Sequence, residues 1–588
     1  MSKLIKVGCG AGFWGDSPEA PRQLVESGQI DYLVLDYLAE ITMSLLARAR
    51  AKDAKLGYAT DLPEVIAALA PQLAARKIKV VTNAGGVNPA ACKAAIEAKL
   101  SAQDVALKVA IVTGDDLLPQ LERLREVREM FTGEGFPARA WSANAYLGAF
   151  PIAAALGAGA DIVITGRCVD SALALGPLVH EFGWRADQHD LLAAGSLAGH
   201  VIECGAQATG GISTDWRAVA EGWHDMGFPI AECRADGSFV VGKPAGTGGR
   251  VTPETVAEQI VYEIGDPGAY LLPDVSCDFR DVALKQIAPD RVEVTGARGS
   301  PPPATYKASV TWQDGFRSTA TMMIGGVEAP AKARAVGEAI LKRCRRLLAE
   351  RALPDFRRTD IEVLGAEANW GASARVQTRE VILKLAVHHD SAAALEIFGK
   401  EFIPSATSMS QGITGFSGGR PSPVPLVRLF SCLVPKDWVA VEVDGRVLEV
   451  SAVPAAATKK ASLTRQTSAV APLPGGEGTK TVPLIALAYG RSGDKGNAAN
   501  IGVLARKPEF VPILREQLTA DAVKQHFAHF APALVERFEW PGLHGFNFLL
   551  HEVLGGGGVA SLRYDPQGKM LAQVLMDFPL RVPAGIAT

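Results

Sequence analysis

Ile78-Lys79-Val80-Val81-Thr82-Asn83-Ala84-Gly85-Gly86-Val87-Asn88-Pro89 runs from an apolar, β-branched stretch through a glycine turn into an amphipathic pattern over residues 89–98. A short apolar run bounded by turn formers reads as a buried strand. Asn88 before Pro89 reads as a helix cap with proline at the first helical position. The unit recurs on both sides. Upstream lie strands at 5–9 and 32–36, with helices over 18–26, 39–51 and 62–75. Downstream lie strands at 107–112, 138–143 and 161–165, with helices after Asp115 and over 147–156. Buried strands alternating with helices predict an α/β fold, a parallel sheet wrapped by helices over about residues 1–190. Strand ends then gather at one edge, where such sheets bind ligands.

Beyond residue 191 the rhythm loosens into glycine turns, prolines and short strands at 292–294 and 308–311. A long helix over 331–351 and a strand at 381–387 complete an α+β extension reaching 454. Residues 455–480 carry Ala, Thr, Pro and Gly without periodicity and read as a linker. Residues 481–588 suffice for a small α+β domain.

A chain of 588 residues exceeds one ordinary core. Its 48% hydrophobic and 21% charged residues are those of a soluble globular protein. A net charge of -3 gives no basic footprint for nucleic acid. No apolar run reaches the ~18 residues of a membrane span. The N-terminus runs directly into a strand without a signal-peptide pattern, so a cytoplasmic protein is expected, with a homo-oligomer as its assembly. The eight cysteines form no C-x-x-C pair, which predicts reduced, buried thiols and no metal site.

Several glycine-bounded clusters bring polar side chains to strand ends. In Gly8-Cys9-Gly10-Ala11-Gly12-Phe13-Trp14-Gly15-Asp16, Gly10 and Gly12 let an anion approach a helix N-terminus. The spacing is not G-x-G-x-x-G, which argues against NAD. Asp36 ends its strand and faces the ligand edge, or caps the next helix. Asn83, Gly85 and Gly86 suit a carbonyl or amide ligand. Arg167 is a fork for a carboxylate or phosphate, with Asp170 orienting it or capping the helix, and a structural ion pair is the alternative. Cys204 is a candidate nucleophile with His200 four residues earlier, against a plain buried thiol. Asp215 closes that polar stretch. In Gly242-Lys243-Pro244-Ala245-Gly246-Thr247-Gly248-Gly249-Arg250, residues Lys243, Thr247, Gly248 and Arg250 form a phosphate-type cradle, suited to a nucleotide or the phosphates of coenzyme A. It is not a P-loop, because the lysine precedes the glycines. Adjacent His388 and His389 diverge on a strand, which argues against a metal.

The stretch over residues 490–502 holds four glycines among Arg491, Ser492, Asp494, Lys495 and Asn497. It reads as an anion-binding loop after a strand, or as a surface hairpin turn rich in turn formers. Its core, Arg491-Ser492-Gly493-Asp494-Lys495-Gly496-Asn497, resembles the signature of the C-terminal domain of the acyclic terpene utilisation protein A (AtuA-like) family. The opening glycine loop, Asp36-Tyr37-Leu38-Ala39-Glu40, the Asn83 and Arg167 turns, Tyr262-Glu263-Ile264-Gly265-Asp266-Pro267 and Pro273-Asp274-Val275-Ser276-Cys277-Asp278-Phe279 resemble it too. The resemblance covers about residues 5–450 and 482–582. It implies breakdown of acyclic terpenoid or branched-chain acids, and a ferredoxin-like C-terminal domain. Together with the glycine loops carrying Arg and Lys at strand ends, it makes the expected reaction a hydratase or lyase step on an acyl-coenzyme A. A carboxylate among Asp36, Asp170 and Asp215 then moves a proton beside the thioester, while backbone N–H groups hold the enolate oxygen. No cofactor fingerprint is identified, coenzyme A entering only as part of a small-molecule substrate. The alternative is a non-catalytic scaffold or regulatory subunit of a degradative complex.

Overall fold

The computed structural model describes residues 3–375, 377–448, 478–558 and 560–586. Most of the linker expected at 455–480 lies outside them. Strands β1 (Leu4–Cys9), β2 (Tyr32–Leu35), β3 (Lys79–Thr82), β4 (Val109–Thr113), β5 (Ser142–Ala145) and β6 (Ile162–Thr165) follow in chain order. Five of them run parallel in the spatial order β1-β2-β3-β6-β4, with Val34 opposite Val81 and Val81 opposite Val163. Alternate residues point to opposite faces of a strand, and here both faces are apolar. Leu33, Leu35, Val80 and Ile164 join a core with the helices Glu19–Ser27, Leu62–Arg76 and Pro89–Ala102. Val7, Val34, Val81 and Val163 join another with Phe150–Gly157, Ala172–Phe182 and His189–Ile202.

The sheet does not stop at residue 190. β7 (Ile230–Arg234) adds antiparallel to β1, β8 (Phe239–Gly242) follows, and Arg291–Thr295 and Ala283–Ala288 extend that side. Glu442–Val443 closes on β4 from the other side and Arg446–Val447 pairs with it, making an 11-stranded mixed sheet around the parallel centre. The strand expected at 138–143 is displaced to β5 and leaves this sheet. It pairs with the long strand Thr305–Gly325, where Ser142 Oγ meets Thr311 Oγ1 at 2.6 Å. Thr305–Gly325 also carries Glu380–His389 and Val424–Pro435. Its Met322 and Ile324 are covered by Ala329–Glu350 and Ala392–Phe402.

The C-terminal domain is an antiparallel sheet in the order Ala488–Lys495, Ala498–Ala505, Gly545–Leu550, Val535–Trp540. The stretch over 490–502 is therefore a β-hairpin turning at Gly496 with φ 65°, the hairpin of the two readings. Ile501, Val503, Phe546 and Phe548 face the domain's own helices. The opposite face docks on the end of helix Pro253–Ile260. A Cβ at Gly493 would stand 2.6 Å from the Tyr262 ring, and one at Gly502 would collide with Val261. Those glycines permit the close approach. The carbonyls a helix leaves open at its C-terminus need partners. Asn500 donates to Val261 O at the helix cap at 2.7 Å, and Asn547 donates to Ile264 O in the turn beyond it at 2.6 Å.

Candidate functional site

The parallel strands deliver their polar residues to one edge, as the fold requires. Asp36 follows β2, Asn83 follows β3, Asp115 follows β4, and Arg167 with Asp170 follows β6. Asp36 is 4% exposed. The Tyr37 N–H donates to Asn83 Oδ1 at 2.7 Å, which turns the amide so that Nδ2 donates to Asp36 Oδ1 at 2.7 Å. Burial drives the Asp36 carboxyl well above the usual carboxylate range, and the Asp170 charge adds to it. Asn83 and Arg167 oppose the shift, and Glu203 reinforces it. Desolvation dominates, so Asp36 retains its proton far above the pH at which a free aspartate loses it.

Arg167 is buried, with Nη1 donating to Leu38 O and to Asp170 Oδ1, both at 2.9 Å. Its guanidinium lies 4.2 Å from the Tyr146 ring centroid. It thereby ties the Asp36 loop to the turn after β6. Sequence reasoning passed over Asp115, although it stands at a strand end among Gly114 and Asp116. Its Oδ2 accepts from Arg167 N at 2.9 Å and Asn144 Nδ2 at 2.8 Å. Burial raises this carboxyl from 3.8 to about 7.

That shift fixes the sign of a pH effect. The native protein holds the Asp115 proton up to about pH 7, whereas the unfolded chain releases it near 3.8. Between those values the native state binds more protons, so stability falls as pH rises. Asp115→Asn keeps an oxygen for both donors and removes the titration. Denaturant unfolding at pH 4 and pH 8 is expected to show a smaller difference in the variant, by up to about 4 kcal/mol.

The next wall comes from the end of helix His189–Ile202. Cys204 lies against the first glycine loop, where a Cβ at Gly12 would stand 2.9 Å from Cys204 Cα. Its thiol is pushed well above normal by burial, then by Glu203 and Glu263. Reactive thiolates need the opposite environment, so Cys204 is not set up as a nucleophile. His200 turns to Glu203 instead, with Nδ1 3.1 Å from Oε1. The C-terminal domain supplies the last wall. Lys495 Nζ lies 5.9 Å from the Tyr270 ring centroid, and that ring lies 5.9 Å from the His200 ring. Lys569 bonds the Tyr262 hydroxyl and lies 3.4 Å from Glu263 and 4.0 Å from Asp494.

The remaining candidates hold the protein together. Gly10 N donates to Val34 O at 2.9 Å. A Cβ at Gly85 would stand 2.5 Å from Thr165 O, and one at Gly86 2.7 Å from Gly57 O. Lys243 is paired with Asp290 at 3.3 Å and donates to Thr247 O at 2.7 Å. Thr247 Oγ1 donates to Pro244 O, Gly248 packs on Gly222, and Arg250 is exposed. The expected phosphate cradle is thus folded on its own chain. Asp215 takes both terminal nitrogens of Arg506, at 2.9 and 2.8 Å, and its carboxyl is lowered by that bond. It is an inter-domain ion pair rather than a base. Arg491 is buried against Gln207, Gly211 O and Glu258. Ser492 donates to Gly568 O, and Asn497 accepts from Gly556 N, so both brace their own domain.

A cavity of about 230 Å³ opens beside this cluster, lined by Gly10, Ala11, Asp16, Pro21, Tyr37 and Val65 among others. Asp36 N donates to Ala11 O at 2.9 Å and its neighbour Tyr37 lines the cavity, while the Asp36 side chain itself is not part of the lining. Among the described residues no group of three or more His, Cys, Asp or Glu is arranged to hold a metal. Nor is any described helix long and apolar enough to cross a membrane.

An α/β sheet with buried carboxylates at its C-terminal edge, covered by a small second domain, is the class this geometry defines. The chain belongs to the acyclic terpene utilisation family protein AtuA, whose family model matches residues 5–444. The AtuA ferredoxin-like domain matches residues 482–581. Among solved structures, a homoserine dehydrogenase from Thiobacillus denitrificans shares 14% identity over 70% of this chain and 84% of that one. Its TM-score of 0.12 carries no argument about fold or function. No curated protein matches the sequence.

Proposed function

We propose that this protein is an acid–base enzyme of acyclic terpene utilisation, of hydratase or lyase type, with Asp36 as its proton-transfer group. The observation that supports it is the buried Asp36 carboxyl, oriented by Asn83 and kept protonated beside Asp170. A carboxyl retained as the acid near neutral pH is what general acid catalysis uses. In the addition direction the double-bond electrons take the Asp36 proton at the carbon next to the carbonyl. Water bonds to the neighbouring carbon and releases a proton to a second group. Elimination reverses these steps.

The expected substrate is a branched acyl thioester of coenzyme A. The 230 Å³ cavity is smaller than the roughly 300–1,000 Å³ of complete ligand pockets. In this reading it takes the acyl end alone. Asp215 and Cys204 have no part in proton transfer, and Asp170 acts by its charge on Asp36.

Incubation with branched and terpenoid acyl-coenzyme A thioesters tests this. A true ligand at 100 times its Kd stabilises the native state by about 2.7 kcal/mol, and in D₂O deuterium is expected at the carbon next to the carbonyl. Neither stabilisation nor exchange with any thioester would instead favour a non-catalytic scaffold.

A further inference from the structure

We infer that the cavity lined by Tyr37 binds the hydroxyl-bearing end of a neutral branched chain, with the Tyr37 phenol donating to the oxygen of that hydroxyl. Tyr37 is 3% exposed, yet among the described residues its own hydroxyl has no hydrogen-bond partner. A buried tyrosine hydroxyl is paired as a rule, and an exception calls for an explanation. The side chain lines the 230 Å³ cavity. Its backbone N–H, held by Asn83 Oδ1 at 2.7 Å, fixes the residue at the strand end. Burial, then the charges of Asp61 and Asp16, keep the phenol protonated far above its ordinary range, so it has a hydrogen to give.

The rest of the lining says what carries the accepting oxygen. Ala11, Pro18, Pro21 and Val65 give the cavity apolar walls, which suit a branched hydrocarbon chain. Its charged groups are carboxylates, and each is already engaged. Asp16 accepts from Gly12 N at 2.9 Å and from Ser17 N at 2.7 Å. Asp61 accepts from Trp14 Nε1 at 2.7 Å, and Glu64 is paired with Lys99 at 2.7 Å. No lysine or arginine lines the cavity among the described residues. A carboxylate or phosphate entering it would meet like charge without a counter-ion. An ammonium ion would leave water for apolar walls, facing carboxylates whose charge those donors already meet. A hydroxyl escapes both costs. It accepts from Tyr37 through a lone pair, and its hydrogen has carboxylate oxygens of the same lining to meet.

This narrows the substrate class proposed above to branched acyl chains that carry a hydroxyl. Only the thioester at the other end of the chain rests on the reading of Asp36. Recognition of the alcohol rests on the cavity and on Tyr37.

Titration of the full-length protein by ligand-observed NMR tests it, with isoamyl alcohol, isoamyl chloride, isoamylamine and isovalerate as probes of one branched skeleton. The alcohol is expected to bind more tightly than the other three. Tyr37→Phe is expected to lower its affinity about 5–10-fold, the worth of one hydrogen bond, and to leave that of the chloride unchanged. Without ligand this variant is expected to melt no lower than the parent, because it removes only an unpaired hydroxyl. Equal binding of alcohol and chloride by the parent would overturn the inference, as would an alcohol affinity that Tyr37→Phe leaves intact. Tightest binding of the amine or of isovalerate would overturn it in favour of an ion site, and a lowered melting temperature would make the hydroxyl structural. None of these measurements involves turnover, so they stand even if the reading of Asp36 fails.

Discussion

Asp36→Asn is expected to lower turnover by about 10²–10⁴-fold, the contribution of a positioned acid–base group, while leaving the fold intact. The amide oxygen of the variant can still accept from Asn83 Nδ2 and Leu38 N, as Asp36 Oδ1 does at 2.7 and 3.3 Å. It carries no charge, like the protonated acid it replaces. Burial no longer opposes an ionisation, so the variant is expected to be about as stable as the parent below the unfolded value of 3.8 and more stable at pH 8. The sign follows from the raised carboxyl: the native state holds a proton that the unfolded chain releases, which weakens the parent as pH rises. Steady-state kinetics and melting curves at the two pH values check both halves. Asp215→Asn is the control. That side chain is half exposed and paired with Arg506, so its loss is expected to change turnover little.

Arg491→Ala is expected to cost the most stability. The guanidinium donates to Gln207 Oε1 at 3.1 Å and Gly211 O at 3.3 Å, and lies 3.7 Å from Glu258. Both charged side chains are almost wholly buried, at 4% and 0% exposure. Glu258 also accepts from Thr214, through N–H at 3.0 Å and through the hydroxyl. Removing the arginine leaves that carboxylate in the interior without its counter-charge, which costs about 3–5 kcal/mol. Because Arg491 lies on the hairpin and Glu258 on the helix beneath it, the loss falls on domain docking. Hydrogen exchange is expected to rise over residues 258–265 and 489–504, with a lower denaturant midpoint. Arg491→Lys keeps the charge but loses the fork, and an intermediate effect is expected.

What the sequence disclosed follows from how local each feature is. Asp36, Asn83, Arg167 and Asp170 were readable because each ends an apolar, β-branched run, and parallel strands send such ends to one edge. The antiparallel additions around residues 230–295 and 442–447 were not, since pairing across hundreds of residues leaves no local period. Glycine misled in two ways. The hairpin over 488–505 could equally be read as an anion-binding loop, because its Gly493 and Gly502 stand where the sheet meets Tyr262 and Val261. The stretch over 243–250 looked like a phosphate cradle because a glycine turn with cations reads the same whether it faces a ligand or its own chain. The contacts of Lys243 with Asp290 and Thr247, and of Thr247 with Pro244, distinguish them. Likewise Asp215 looked like a free carboxylate because Arg506 is 291 residues away.

The most direct test of this account is the protonation state of Asp36, read by difference infrared spectroscopy with ¹³C-labelled aspartate in an Asp115→Asn background. A protonated carboxyl band is expected to persist at pH 7 and to vanish when Asp36→Asn is added. An Asp36 carboxyl already ionised at pH 5 would contradict the account.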